Sequence, residues 1–241
     1  MFKQKFITGI ALVAVSILGI QASGFALDHN GKKHASFKVR VENVSDKDGL
    51  TAADGSKYPF ALSPGFYAVS DNKMDLFKDG KKASKAIEAQ AEDGNPEPLL
   101  KKFLTILGSS YIGVFNTPVG ADKPLPIFPG GSFEFTFNAA DGMKLNLVMM
   151  FGQSNDLFYA PDAAINLFPN GKALSGDITD KLLLWDAGTE VNQAPGLGAD
   201  QGPRQKGPNT GATENGVVHL VKDGFTYPNT KDVLRVTISA Q

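Results

Sequence analysis

The sequence predicts an all-β fold, an antiparallel β-sandwich carrying one or two short helices in insertions. Three observations predict it. SFEFTFNA (132–139) alternates strictly, with Phe133, Phe135 and Phe137 falling on one face. Short apolar runs recur along the chain between clusters of Gly, Pro, Asp and Asn, the punctuation of many short strands. Only two segments show helical spacing.

In chain order, SFKVRVENVS (36–45) reads as a half-buried strand with Phe37, Val39 and Val41 inward. DKDGLTAADGS (46–56) is a loop. PFALSPGFYAVS (59–70) is extended, with a Pro-Gly turn expected at 64–65. Ser84 is placed to cap a helix over KAIEAQAED, and Asn95-Pro96 precedes a second over PLLKKFLTIL, apolar at 99, 100, 103, 104 and 107. DNKMDLFKDGKKAS and VGADKPLPIFPGG read as loops. The 132–139 strand, the turn Asp141-Gly142 and KLNLVMMFGQ (144–153) together predict a hairpin. Further strands are expected at LFYAP, AINLF, KLLLW, GVVHLV and DVLRVTIS. Residues 192–216 form a Gly/Pro-rich loop, long enough within a compact domain to imply function or disorder. No internal repeat is present.

The first residues have a different character. Lys3 and Lys5 precede an apolar stretch from Phe6 to Ile20 and then small residues, the layout of a secretory signal peptide. Gly24-Phe25-Ala26 places cleavage after Ala26. The stretch is shorter than the roughly 20 apolar residues a spanning helix needs. The expected organisation is a signal peptide over 1–26, a polar lead-in over 27–35 containing His29 and His34, and one domain over 36–241. This implies a secreted or periplasmic protein with no stable membrane span after cleavage. Of 24 basic residues, loss of Lys3 and Lys5 leaves 22 against 25 acidic ones, a net charge of −3. That excess gives no means of neutralising phosphates, so nucleic acid is not an expected partner. There is no cysteine, which excludes disulfides, thiolate metal sites and thiol nucleophiles.

Nucleotide-loop, zinc-protease and serine-hydrolase motifs are absent. Asp46-Lys47-Asp48-Gly49 is not an EF-hand, because its twelfth position is Lys57. His219 stands inside VVHLV, and a catalytic triad would rest on it alone. Asn43-Val44-Ser45 is a glycosylation sequon. What remains is a group of carboxylates at strand–loop junctions: Asp156 in FGQSNDLFYAPD, then Asp186 and Glu190 in LLLWDAGTEVN. Such acids either cap turns or ligate a hard cation, which takes six to eight oxygens. Gly188 permits the sharp bend that wrapping an ion requires.

At these residues a resemblance becomes legible. Ser154-Asn155-Asp156, Trp185-Asp186-Ala187-Gly188-Thr189-Glu190 and Pro208-Asn209-Thr210-Gly211 resemble motifs of the spondin N-terminal domain, the domain of F-spondin and mindin. Ala61-Leu62-Ser63-Pro64 and Ala91-Glu92-Asp93-Gly94 resemble its stand-alone exported bacterial form. The resemblance spans roughly 36–240. It implies a sandwich of about eight strands similar to C2 domains, and one calcium ion held by acids that fall on Asp156, Asp186 and Glu190. The chain departs from the animal pattern in having Glu rather than Asp at 190 and in lacking cysteines. The implied function is a non-enzymatic calcium-binding interaction or adhesion module. Its expected partner is another exported protein, a matrix component or a surface glycan. The competing expectations are a carbohydrate-binding module, in which exposed aromatics would stack on sugar, and a glycan hydrolase using paired carboxylates such as Asp162 and Glu190 near Phe158, Tyr159 and Trp185, aromatics that themselves read as core or strand residues.

Overall fold

The computed structural model describes residues 26–27, 31–71 and 74–241. The expected signal segment, its cleavage point and His29 lie almost wholly outside that range. The chain folds as an all-β sandwich. One sheet contains β1 (Ala26–Leu27), β2 (Lys33–Asn43), β7 (Ser132–Ala140), β11 (Gly176–Asp177) and β14 (Leu234–Ala240). The other contains β5 (Leu62–Ser70), β6 (Ile112–Phe115), β8 (Lys144–Phe151), β9 (Leu157–Pro161), β10 (Ile165–Asn166), β12 (Leu182–Asp186) and β13 (His219–Leu220). A separate two-residue ladder joins β3 (Leu50–Thr51) to β4 (Lys57–Tyr58). Every pairing is antiparallel.

In the first sheet β2 lies between β14 and β7. Its alternation is explained by its two surroundings. Phe37, Val39 and Val41 enter the core with no exposure. On the opposite face Arg40 pairs with Glu134 and Glu42, Lys38 with Glu134, and Arg235 with Glu42. The strand begins earlier than the alternation suggests. Lys33–Ala35, placed in the polar lead-in by sequence, already belong to it, with His34 opposite Ala140.

The second sheet is ordered β13-β12-β9-β8-β5-β6, and its central strands β9, β8 and β5 are buried on both faces. Leu145, Leu147, Met149 and Phe151 of β8 face the first sheet, while Val148 joins a second apolar cluster behind it. That cluster is closed by α1 (Lys85–Asp93) and α2 (Glu97–Leu107), through Ile87, Ala91, Leu99 and Phe103. Burial on both faces is why KLNLVMM, LFYA and LLLW read as continuous apolar runs rather than alternations. It also explains the failure of the expected 132–153 hairpin. The turn at Asp141-Gly142 is tight, with Met143 donating its N–H to the carbonyl of Ala140 at 3.0 Å, yet β7 pairs with β2 and β8 with β5 and β9. The chain crosses from one sheet to the other, because β8 needs apolar cover on two sides and β7 on one.

Other local expectations need correction. Pro64-Gly65 is not a turn. Leu62 pairs with Phe151 and Gly65 with Met149, so β5 carries one extra residue, a β-bulge. The bulge accommodates a proline without an N–H, and the Ser63 hydroxyl accepts from the N–H of Met150 at 2.9 Å. Ser84 does cap α1, accepting from Ile87 N–H, and the helix ends at Gly94 in the left-handed region. AINLF and GVVHLV shrink to two-residue strands, and DVLRVTIS opens with a single turn, α3 (Thr230–Val233), ahead of β14. Asn43 of the sequon is buried. Its amide donates to the carbonyls of Phe60 and Ile127 and its oxygen accepts from Ser45, so it braces the strand end. Among the described residues no helix is long and apolar enough to cross a membrane.

Candidate metal centre

Sheet pairing brings the site together. Asp186 is the last residue of β12 and lies opposite Leu157, the first of β9. Asp156 precedes Leu157, so the two acids end adjacent antiparallel strands at the same edge. A serine turn fixes the approach of Asp156, with Ser154 Oγ donating to the carbonyl of Phe151 at 2.6 Å and accepting from Leu157 N–H at 3.1 Å. Both aspartates are buried, Asp156 at 0% exposure and Asp186 at 1%.

Asp186 turns the chain after β12 by accepting the N–H of Gly188 on Oδ1 at 2.6 Å. Gly188 has φ +65°, and a Cβ there would lie 2.6 Å from the backbone N and O of Val217. No other residue fits. The bend aims two successive N–H groups at Asp156 Oδ2: those of Thr189 at 2.7 Å and Glu190 at 3.0 Å, joined by the Thr189 hydroxyl at 3.0 Å. The long loop then returns along 188–190. Glu214 N–H donates to the carbonyl of Thr189 and Gly216 N–H to that of Gly188. This brings the carboxylate of Glu214 to the two aspartates. Asp156, Asp186 and Glu214 each offer an oxygen, all within 4.8 Å of one another.

Glu190, expected from the resemblance to complete the trio, is outside this cluster. It is 2% exposed, with Oε1 accepting from Gly211 N–H at 2.9 Å and Oε2 facing the Asn155 amide at 3.5 Å. A Cβ on Gly211 would collide with its carboxylate, so Gly211 is the glycine that lets Glu190 anchor the loop. The third acid that the structure supplies, Glu214, comes from the Gly/Pro-rich loop. Its position there carries no motif of its own.

The electrostatics are those of crowded anions. Burial, and then the Asp186 charge, push Asp156 up to about 6 against the opposing N–H groups. Asp186 is raised chiefly by burial, with Gly188 N–H and His219 opposing. Glu214 is raised by burial and by Asp156. At this pair of aspartates, Asp156 Oδ1 and the Oδ1 of Asn192 are buried without a hydrogen-bond partner. Asn192 is held by donating its amide to Asp186 Oδ2 at 2.6 Å. Unpartnered buried acceptors are uncommon, and here they accompany three converging carboxylates. All are hard oxygen donors of the kind that calcium, magnesium or manganese prefer. His219, opposite Asp186 across the β12–β13 pair, also has a buried unpartnered Nδ1.

The acids and aromatics of the competing readings lie elsewhere. Asp162 follows Pro161 at the far end of β9, six residues beyond Asp156 and so about 20 Å along the strand at 3.3 Å per residue. Phe158, Tyr159 and Trp185 are at most 1% exposed. Trp185 donates its indole N–H to the carbonyl of Ala160 and meets Phe77 edge-on. Compared with protein-family models and with curated protein sequences, the chain matches none.

Proposed function

We propose that the protein is an exported, calcium-binding interaction module of the spondin type, without enzymatic activity, acting in the periplasm or outside the cell. The observation that carries the metal reading is the convergence of Asp156, Asp186 and Glu214, with Asp156 Oδ1 buried and unpartnered. Asp156, Asp186, Glu214 and the Asn192 amide oxygen would hold the ion. Calcium suits this set because it accepts many oxygens in loose geometry, including loop carbonyls and water. Bound there, it would neutralise the repulsion between the acids and tie the 188–190 turn to the loop carrying Glu214.

An interaction role is supported by the form of the site, which fastens loops at one end of a rigid sandwich. The partner class proposed is an exported protein, a matrix component or a surface glycan. Hydrolysis by an Asp162–Glu190 pair is disfavoured because Asp162 follows the far end of β9 from Asp156, whose carboxylate accepts the Glu190 N–H, whereas such pairs stand about 5–9.5 Å apart. Titration of metal-free protein with calcium, read by calorimetry and by melting, tests the proposal. Saturable binding that Asp186→Asn abolishes is expected. Absence of binding, or an unchanged response in that variant, would overturn it.

A further inference from the structure

Two stretches that the metal centre leaves unused, Ala61–Pro64 and Ala91–Gly94, are brought to one place by folding. Ala61, Ser63 and Pro64 of the β5 bulge and Asp93 of α1 line a cavity of about 210 Å³. That volume falls below the range of whole small-molecule sites, about 300–1,000 Å³, and suits a single side chain. Its walls are apolar and stiff. Pro64, Pro126 and Pro203 stand around it with Phe128, which is 48% exposed, and the buried Met150 closes it from within.

The polar groups on this lining are bonded, with one exception. The Ser63 hydroxyl donates to the carbonyl of Pro64 and accepts from Met150 N–H, and Gln205 donates its amide to Asp93 Oδ1 at 3.0 Å. Asp93 receives only neutral donors, both on Oδ1, the second being the N–H of Asn209 at 3.4 Å. Among the described residues its Oδ2 accepts no hydrogen bond and its carboxylate has no ion pair. The cations flanking Gln205 do not supply one. Arg204 gives its guanidinium to the carbonyl of Gly196, and Lys206 is exposed and forms no ion pair among the described residues. Asp93 is also the last residue of α1, whose final turn carries no basic residue. A helix C-terminus is the negative end of the helix dipole and favours cations. A carboxylate there adds negative charge where the backbone already presents it. The slot thus joins apolar walls to an uncompensated negative charge.

We infer that this slot receives a lysine side chain of a partner protein, its stem lying among the prolines and Phe128 and its ammonium meeting Asp93 Oδ2. Lysine pairs a four-carbon apolar stem with a compact charge. It suits the slot better than arginine, because one open oxygen offers a point contact and not the parallel bonds that a guanidinium fork matches. The inference deepens the reading of the protein as an interaction module and rests on it, but the slot contains none of the proposed metal ligands. The test is titration of the full chain with the peptide acetyl-Gly-Lys-Gly-amide and with its arginine and norleucine counterparts, in calcium and in chelator, following the isotope-labelled methyl signal of Met150. The lysine peptide should move that signal saturably and bind at least about fivefold more tightly than the norleucine peptide, and more tightly than the arginine peptide. Asp93→Asn keeps the oxygen that Gln205 and Asn209 use. It should weaken the lysine peptide at least about fivefold, leave norleucine unchanged, and melt no lower than the parent, because it removes charge from the negative end of α1. Phe128→Ser should weaken both peptides, and Asp162→Asn neither. Binding in chelator supports the inference even if the calcium response is absent. No saturable shift in either buffer, norleucine bound as tightly as lysine, arginine bound more tightly than lysine, or a change below fivefold in Asp93→Asn would overturn it. Dimerisation of the parent that Asp93→Asn abolishes would make the occupant a second copy of this chain and overturn a separate partner.

Discussion

The Asp156 carboxyl group has opposite demands on its two oxygens. Oδ2 accepts three hydrogen bonds, while Oδ1 is buried with none. A folded pKa above the unfolded value means that the group takes up protons on folding. Its contribution is then favourable at low pH and is lost as pH rises, here from 3.8 to about 6. At about 1.4 kcal/mol per pH unit this amounts to about 3 kcal/mol at neutral pH. Asp186 and Glu214 act in the same direction. In chelator, Asp156→Asn should therefore melt no lower than the parent at pH 7, and lower relative to it near pH 4. Thermal melts across that range check the sign, and a parent more stable than the variant at pH 7 would refute the account. With calcium at about a hundredfold excess over Kd, the parent should gain about 2.7 kcal/mol, or roughly 5–10 °C at this size. Asp156→Asn, Asp186→Asn and Glu214→Gln should each lose most of that gain. Glu190→Gln should keep it, since Glu190 faces Gly211 and Asn155 instead. Loss of the shift in Glu190→Gln alone would restore the ligand set that the resemblance implies.

Among the elements, the end of β2 and the turn after β12 are the most constrained. Asn43 satisfies two carbonyls and Ser45 at once, so Asn43→Ala should cost about 2–3 kcal/mol in denaturant unfolding, by stranding buried acceptors. The same burial predicts that no glycan attaches there when the protein passes through a glycosylating host. A mass increase lost on Asn43→Gln would contradict this. Gly188→Ala should cost more than an ordinary loop substitution, because both the positive φ and the 2.6 Å approach of Val217 oppose a Cβ. It should also abolish the calcium shift, by misdirecting the Thr189 and Glu190 N–H groups. Ser84→Ala should cost about 1 kcal/mol as a lost helix cap and leave the calcium response intact, which melting of the variant in calcium and chelator will show.

For the molecule as a whole, the two helices are a third layer and not an ornament on a sandwich. Phe103 of α2 is 3% exposed and stacks on Phe66 of β5 at 5.7 Å. Phe103→Ala should cost about 3–5 kcal/mol, as for a buried aromatic, which chemical denaturation will measure.

What the sequence determined was local and periodic. The alternation of Phe37, Val39 and Val41 and of Phe133, Phe135 and Phe137 marked their strands and faces, because a strand's side chains repeat every two residues. Ser84 marked the start of a helix through capping chemistry alone. Asp186, Gly188 and Glu190 were legible as a turn of polar residues ending an apolar run. Partners distant in the chain were not. Whether β7 pairs with β8 or crosses to the other sheet depends on how many faces β8 must bury, and only the packed helices decide that. Glu214 lies 28 positions after Asp186 in a loop without periodicity. Its carboxylate reaches the aspartates only because backbone hydrogen bonds to residues 188 and 189 draw that loop back. Glu190, better placed by spacing, is held by a glycine that folding alone brings beside it. Tertiary structure chose between two equally acidic side chains through loop return, which no local spacing records.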